Sequence, residues 1–410
     1  MKRVVITGVG MINSLGHNAD EAFDAILEGK SGVGPITIFD ASNQKVRIAA
    51  EVKNFDPCSV LDPKDVKKTD RFIQLGLHAV QEAIEDSKID KTVVETFGIS
   101  AASGIGGLTQ IEKNSIICEQ KGPGKISPFF IPSALCNMLG GFASIQHSLK
   151  GPNLASVTAC TAGLHAITEA TKTIMLGDVQ GMVVVGAESA VSAVGIGGFA
   201  AMKALSTRND DPEKASRPFD KNRDGFVLGE GAGALVLEEL SHALARNAKI
   251  YGEIIGYGES GDGFHMTMPA PEGEGAYRAL EAAMKKANYP EIDYINAHGT
   301  STYYNDMYET MAIKKLFADK KTCPPVSSTK GQTGHCLGAA GAIEAIISLK
   351  AIERGIMPPT INQEENDEIC NLDYIPNKAR KKDLTTVMSC NYGFGGTNGA
   401  LILRKYSFDS

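Results

Sequence analysis

Runs of β-forming residues alternate with helical patterns along the whole chain, and this alternation constrains the fold more than any other feature of the sequence. Arg3 to Val9, Thr96 to Ala101, Met182 to Gly186, Ala232 to Leu237, Lys249 to Ile255, Tyr294 to Ala297 and Ala400 to Leu403 read as strands. Helical periodicity marks Ala19 to Leu27, Arg71 to Asp86, Ala162 to Leu176, Ala276 to Ala287, Met307 to Phe317 and Leu337 to Ile352. An α/β protein with mixed sheets follows. The stretches Val4 to Gly10 and Ile250 to Gly258 each run from a basic residue through a strand into a glycine turn, which predicts an internal duplication into halves 1–250 and 251–410. The polar segment Ser206 to Gly225 reads as a long surface loop.

Charge and cysteine usage then remove whole classes of function. The net charge is −7, so no global basic field exists for nucleic acid, and an acidic partner must find a local basic patch. No window approaches eighteen uninterrupted apolar residues, so no transmembrane helix and no membrane partner are expected. Thr7, Gly8 and Asn13 interrupt the first apolar run, which therefore reads as a strand and not as a signal peptide. The eight cysteines form no CxxC pair and no regular spacing, which predicts reduced thiols and a cytoplasmic setting. Two nucleotide-like motifs fail on context. Gly256 to Gly261 matches GxGxxG, but Gly263, Pro269 and Pro271 follow where a helix must open, and Gly29-Lys30-Ser31 has Asp24 where a P-loop needs glycine.

Reactive side chains gather in loops of small residues. From Leu154 a short apolar strand runs into Thr158-Ala159-Cys160-Thr161 and then a helix, which puts Cys160 at a helix N-terminus. Unpaired amides and the positive dipole end there favour thiolate over thiol, so Cys160 is the expected nucleophile, while the other seven cysteines read as small core residues. His298 follows a strand in Asn296-Ala297-His298-Gly299-Thr300, and His335 ends a similar loop, Ser327 to His335. One activated cysteine and two such histidines point to covalent acyl chemistry. Zinc ranks below it, because no two of these residues have ligand spacing, and no metal is assigned.

From Leu337 to Leu349 the only charged residue is Glu344, so the helix is expected to be buried all round. A buried carboxylate needs a cation, and Lys330 just upstream is expected to supply it. Gly393-Phe394-Gly395-Gly396 sets a ring between glycines, in a turn whose amides can face a developing oxyanion.

Taken together, the motifs VVITGVG, SGIGG, KISPFF, TAC at Cys160, NAHGTST, STKGQTGH, LGAAGAIE, PPTIN and NYGFGGTN, in this order, resemble the β-ketoacyl-acyl carrier protein synthases, condensing enzymes of the thiolase superfamily, and synthase II most closely. The resemblance runs nearly end to end. It implies a five-layer αβαβα thiolase fold of two duplicated halves, a homodimer, and a decarboxylative condensation of malonyl and acyl carrier proteins without any cofactor. On this resemblance Cys160 takes the acyl chain, His298 and His335 promote decarboxylation, the amides of Cys160 and Phe394 form the oxyanion hole, and Lys330 and Glu344 form a supporting ion pair. Thr300 and Thr302 match residues that hold the phosphopantetheine arm, and Ile105 matches one lining the acyl pocket.

The second histidine argues against thiolases and synthase III types, and Cys160 against a noncatalytic chain-length partner; synthase I and type II polyketide ketosynthases remain the nearer alternatives. Carrier proteins of this pathway are acidic, so a basic docking patch is expected. Lys67, Lys68 and Arg71 can share one face of a helix start, and the resemblance adds Lys203. The chain departs from the pattern at Tyr303 and Tyr304, where a proline is usual, which is expected to reshape the loop near the pantetheine entrance. Ala162 stands where serine is usual. No monovalent cation is assigned to Asn296 and Glu309.

Overall fold

The computed structural model describes residues 2–318 and 322–407. Ten strands form one mixed sheet: β1 (Val4–Asn13), β2 (Gly98–Ala102), β3 (Asn153–Ser156), β4 (Gly181–Glu188) and β5 (Gly231–Glu239), then β6 (Gly252–Gly261), β7 (Tyr294–Asn296), β8 (Val326–Ser327), β9 (Thr386–Gly393) and β10 (Thr397–Arg404). The first five run in the order β1-β5-β4-β2-β3 and the second five in the order β6-β10-β9-β7-β8, so each strand of one array has a counterpart five places later in the other. The arrays join antiparallel where Val4 faces Ile254 and Ile6 faces Gly252.

Helices α1 (Ala19–Leu27), α2 (Arg71–Ser87), α3 (Ala162–Leu176), α4 (Glu274–Lys286), α5 (Tyr303–Leu316) and α6 (Ala340–Arg354) complete the layers. Helices α3 and α6 pack together in the middle, in one core with residues of both arrays, such as Val184 and Leu401. Helix α2 covers the outer face of the first array, and α4 with α5 covers that of the second. Along β4, Met182 and Val184 point to the central core while Val183 and Val185 point to the outer one. Burial on both faces is why this strand reads as a continuous apolar run and not as an alternation.

The glycines expected to end the paired strands in turns lie inside them instead. A Cβ on Gly8 or Gly10 would sit 2.2 or 2.1 Å from the Ala83 or Ala79 carbonyl oxygen of α2. Gly256 and Gly258 stand under Ala283 and Ala279 of α4 in the same way, at 2.5 and 1.9 Å. Glycine here lets a helix lie directly on a strand, and the arrangement recurs in both halves. It also accounts for the GxGxxG pattern, which is the interior of β6. The segment 206–225 is another correction. Its stretch Ala215 to Asp220 is buried, with the Phe219 amide donating to Asp306, and only parts such as Asp210 and Lys221 face solvent. Among the described residues, no helix is long and apolar enough to cross a membrane.

Candidate active site

Cys160 sits in a single 3-10 turn, Ala159–Thr161, between β3 and α3, so it lies at a helix N-terminus as the sequence pattern predicts. Ala159 just before it is held at φ +52°, in the left-handed region that disfavours a side chain. The Phe394 amide and the amide of Cys160 itself both point at the sulfur. The expectation of a favoured thiolate is not met. Burial pushes the thiol up, to about 12, and the Lys330 charge and the two amides only partly offset this. Resting Cys160 is therefore a neutral thiol at the bottom of a cavity, with 9% of its surface exposed.

His298 follows β7, and its position is fixed by a carboxylate: the amides of His298 and Gly299 donate to Glu309 at 2.7 Å each. His335 is pinned through its backbone, its amide donating to the Val227 carbonyl at 2.8 Å while its carbonyl accepts from the Gly229 amide at 3.0 Å. The two rings lie 5.3 Å apart, edge to face. Both are held neutral, well below the ordinary histidine range, first by burial and then by the nearby Lys330 charge.

The hydrogen bonds select the tautomer of each ring. Nδ1 of His298 faces the Lys330 ammonium at 3.4 Å and the Asn391 amide nitrogen at 3.2 Å, both donors, so it must accept. Nδ1 of His335 accepts from the Leu337 amide at 3.2 Å. A neutral imidazole that accepts at Nδ1 carries its proton at Nε2. Each histidine therefore offers an N–H donor from its other edge.

Lys330 and Glu344 are ion-paired, with side chains 1% and 3% exposed. The ammonium has three protons and three acceptors: Glu344 Oε1, the His298 carbonyl at 2.7 Å, and His298 Nδ1. Asn391 closes the network by donating to Glu344 Oε2 at 2.7 Å. Burial pushes the Glu344 carboxyl up, and Lys330 pulls it back.

One cavity of about 600 Å³ brings together Cys160, His298, His335, Phe394, Ile105, Thr300, Thr302 and Lys203. Thr300 and Thr302 share a hydrogen bond between their hydroxyls at 2.9 Å. Tyr303 and Tyr304 line the same cavity at its exposed side, 56% and 48% accessible, with ring centres 5.2 Å apart. Arg71 is not part of a basic patch. Its guanidinium is bound by the buried Glu230 and by the Val52 carbonyl. Lys67 and Lys68 do not share the face of α2 either; they lie in the link before it, where Lys68 binds Asp65 at 2.7 Å and Lys67 is exposed.

Three residues have roles at the site that the sequence pattern does not assign them. Asn391 stands in the sequence as part of a glycine turn, and the strand before it, Val387-Met388-Ser389-Cys390, already holds a polar residue, so nothing local sets Asn391 apart. Glu188 ends β4 and accepts from the amides of Gly104, Ile105, Gly106 and Gly338 and from the Ser103 hydroxyl, so it ties the Ile105 loop to the start of α6. Glu309, which clamps the His298 backbone, lies on α5 where its neighbours give no periodic pattern.

A buried thiol with two amides aimed at it, sharing one cavity with two neutral histidines that carry their protons on Nε2, is the site of an acyl-transferring condensing enzyme. The chain matches the family models for the N-terminal domain of beta-ketoacyl synthase over residues 1–243 and for its C-terminal domain over residues 251–364. It is 54% identical to the 3-oxoacyl-[acyl-carrier-protein] synthase 2 of Coxiella burnetii over 408 residues, covering 98% of this chain and 99% of that protein. A beta-ketoacyl synthase from Burkholderia phymatum superposes with a TM-score of 0.93 at 35% identity, covering 99% of this chain and all of the other. A type II PKS ketosynthase in complex with its acyl-carrier protein superposes at 0.91 with 30% identity, again over 99% and 100%. The chain belongs to the beta-ketoacyl synthase family and has its thiolase fold.

Proposed function

We propose that this chain is a 3-oxoacyl-acyl carrier protein synthase of type 2, which elongates fatty acyl chains by two carbons through decarboxylative Claisen condensation. The observation that carries the reading is one cavity shared by a thiol that two amides address and by two histidines whose Nδ1 atoms accept, so that their protons sit on Nε2. In the first half-reaction Cys160 attacks the thioester of an acyl carrier protein. The carbonyl oxygen takes up negative charge between the amides of Cys160 and Phe394, the old C–S bond breaks, and the thiol proton leaves on the departing pantetheine thiol. This balance suits a nucleophile that rests as a thiol.

In the second, malonyl carrier protein loses CO2, and the electron pair of the broken C–C bond moves into its thioester carbonyl. The Nε2–H groups of His298 and His335 stabilise the resulting enolate, and neutral rings are needed because their N–H must persist as a donor while charge builds. The enolate carbon attacks the Cys160 thioester through the same oxyanion hole, the thiolate is expelled, and it takes a proton to restore the resting thiol. Lys330, Glu344 and Asn391 keep the His298 tautomer in place and do not touch the substrate. Thr300 and Thr302 hold the arm, and Ile105 borders the acyl chain.

The acyl carrier protein in acyl and malonyl forms is the partner, and the carrier-protein complex of the structural relative supports this. The halves 1–250 and 251–410 divide the work, nucleophile in the first and histidines in the second. A homodimer is part of the reading. Strand β3 is the open edge of the first array, and Leu154 on it and Val157 after it are 40% and 51% exposed, a place for a second copy to add. Eight free cysteines support a cytoplasmic setting.

Mass spectrometry tests the central claim. Wild-type protein incubated with acyl carrier protein gains one acyl group on Cys160, and Cys160→Ala gains none while keeping its melting temperature. An adduct on the variant, or on another cysteine, sinks the assignment.

A further inference from the structure

The two oxyanion amides come from opposite halves of the molecule. Cys160 follows β3, and Phe394 opens the hairpin between β9 and β10. No covalent link sets their separation, and the turn that carries Cys160 stores strain at Ala159. Something must hold the two turns in register.

Four side chains outside the cavity stitch them together. The Thr161 hydroxyl donates to the Thr397 carbonyl at 2.9 Å, and the Thr397 hydroxyl donates back to the Thr158 carbonyl at 3.1 Å. The imidazole of His165, one turn into α3, spans the same gap. Its Nε2 lies 3.3 Å from the Asn398 carbonyl, which can only accept, so Nε2 carries the proton. Its Nδ1 then accepts from the Thr158 hydroxyl at 2.8 Å. The Thr397 hydroxyl also lies 3.2 Å from the Thr161 hydroxyl oxygen, and the bonds run in both directions between the halves. Burial keeps the His165 ring below the ordinary histidine range, as accepting at Nδ1 requires. Space is tight here as well, for a Cβ on Gly393 would stand 3.0 Å from the Thr158 oxygen.

We infer that His165, with Thr158, Thr161 and Thr397, is a positioning residue that registers the Cys160 turn against the Phe394 hairpin and so sets the geometry of the oxyanion hole. The inference rests on the condensation reading above and adds to it a division between steps. Acylation uses the two amides, whereas decarboxylation uses the histidine pair. Misplacing one of two donors by a fraction of an ångström weakens only the steps that build charge between them.

The experiment measures the steps separately in His165→Phe, which keeps the ring's bulk and loses both bonds, and in Thr397→Val, which removes one hydroxyl. Single-turnover acylation of Cys160 by acyl carrier protein should fall about 10- to 100-fold, somewhat less than the loss of a whole oxyanion donor. Release of labelled CO2 from malonyl carrier protein, compared between Cys160→Ala and Cys160→Ala/His165→Phe, should agree within about twofold. His165→Gln, whose amide can accept from Thr158 and donate to Asn398, should recover most of the acylation rate. A parallel fall in both steps, or unchanged acylation in both variants, overturns the inference. If His165→Phe fails to fold, Thr397→Val decides. Wild-type protein that is never acylated would instead refute the condensation reading, so the two failures are distinguishable.

Discussion

Strand β3 in the first half and strand β8 in the second hold the same place at the outer edge of their arrays, yet β3 leads to Cys160 and β8 to Lys330. The correspondence continues inward. Strand β2 ends in a loop whose amides are bound by the buried Glu188, and β7 ends in a loop whose amides are bound by the buried Glu309. One of these loops presents Ile105 to the cavity and the other presents His298. Strand β4 closes with Glu188, and its counterpart β9 carries Asn391 two residues before its end at Gly393, where it holds His298 and Glu344. The duplication thus supplies a repeated way of fixing loops at strand ends, and the chemistry comes from which side chain stands at each repeated place. The first half contributes a thiol and an apolar wall. The second contributes both histidines and the buried ammonium of Lys330, whose field reaches the thiol, both histidines and Glu309.

The comparison is tested most severely by the two buried carboxylates, Glu188 and Glu344, because one answers amides and the other answers a charge. Glu344→Gln leaves the Lys330 ammonium buried without its counter-ion, which should cost about 3–5 kcal/mol of stability. Glu188→Gln strands no cation, and burial already pushes this carboxyl toward its neutral form. Its cost should stay near the about 1–3 kcal/mol expected of imperfectly satisfied buried donors. Chemical denaturation of both variants gives the two numbers. Should Glu188→Gln prove the more damaging, charge would not be what separates the halves.

Acidity offers a second and smaller contrast. His298 and His335 titrate lower in the folded chain than the value of about 6.5 they have when unfolded. Protons therefore bind the unfolded chain more readily, so the stability they contribute is complete above about pH 6.5 and is lost as pH falls below it. Three carboxyls act in the opposite sense: Asp70 is raised to about 6, and Glu82 and Glu309 to about 7, in each case chiefly by burial. Their contribution is complete at acid pH and lost as pH rises through 6 to 7. Replacing both histidines by asparagine should flatten the acid limb of a plot of melting temperature against pH between 6.5 and 5. Replacing Glu82 by glutamine should flatten the fall in melting temperature as pH rises from about 4.5 to about 7. An acid limb equally steep without the histidines would show that the site does not carry it.

How much of this was readable beforehand follows from what each signal is made of. Helices α1 and α3 were bounded to the residue, because a polar cap or a glycine stop coincides with the end of the apolar pattern at Asn18 and at Gly177. The Lys330–Glu344 pair was readable for a thermodynamic reason: a carboxylate alone in an apolar helix must find a cation. The state of Cys160 was not readable, since a helix terminus can be inferred from a pattern but depth of burial depends on the whole second half closing over it. Arg71 was misassigned for a related reason. Its partner Glu230 lies 159 residues away, and no local spacing announces it. Glu188 and Glu309 act on backbone amides, which the sequence does not display as residue types, and Asn391 acts on Glu344 and His298, which lie 47 and 93 residues away along the chain.

The smallest expected effect concerns the rim, where the halves also differ. The first half brings the cation Lys203 to the cavity edge, with Lys67 exposed in the link before α2, while the second brings the aromatic pair Tyr303 and Tyr304. A chain of net charge −7 meets an acidic carrier protein unfavourably except where such cations face it. Exposed charges are strongly screened and each contributes on the order of 0.5 kcal/mol, so Lys67→Glu, Lys68→Glu and Lys203→Glu should each raise KM for acyl carrier protein by roughly two- to threefold. Lys68 should give the weakest response, because it is already bound to Asp65. The changes should lie mainly in association and should shrink as salt rises. A small acyl-CoA surrogate, which reaches Cys160 without a carrier protein, should react with the three variants at nearly the wild-type rate. Arg71→Ala serves as the contrast: by stranding Glu230 it should lower the melting temperature and impair both substrates alike. If the lysine variants behaved like Arg71→Ala, the first half's cations would be part of the scaffold, and docking would have to rest on the aromatic side of the rim.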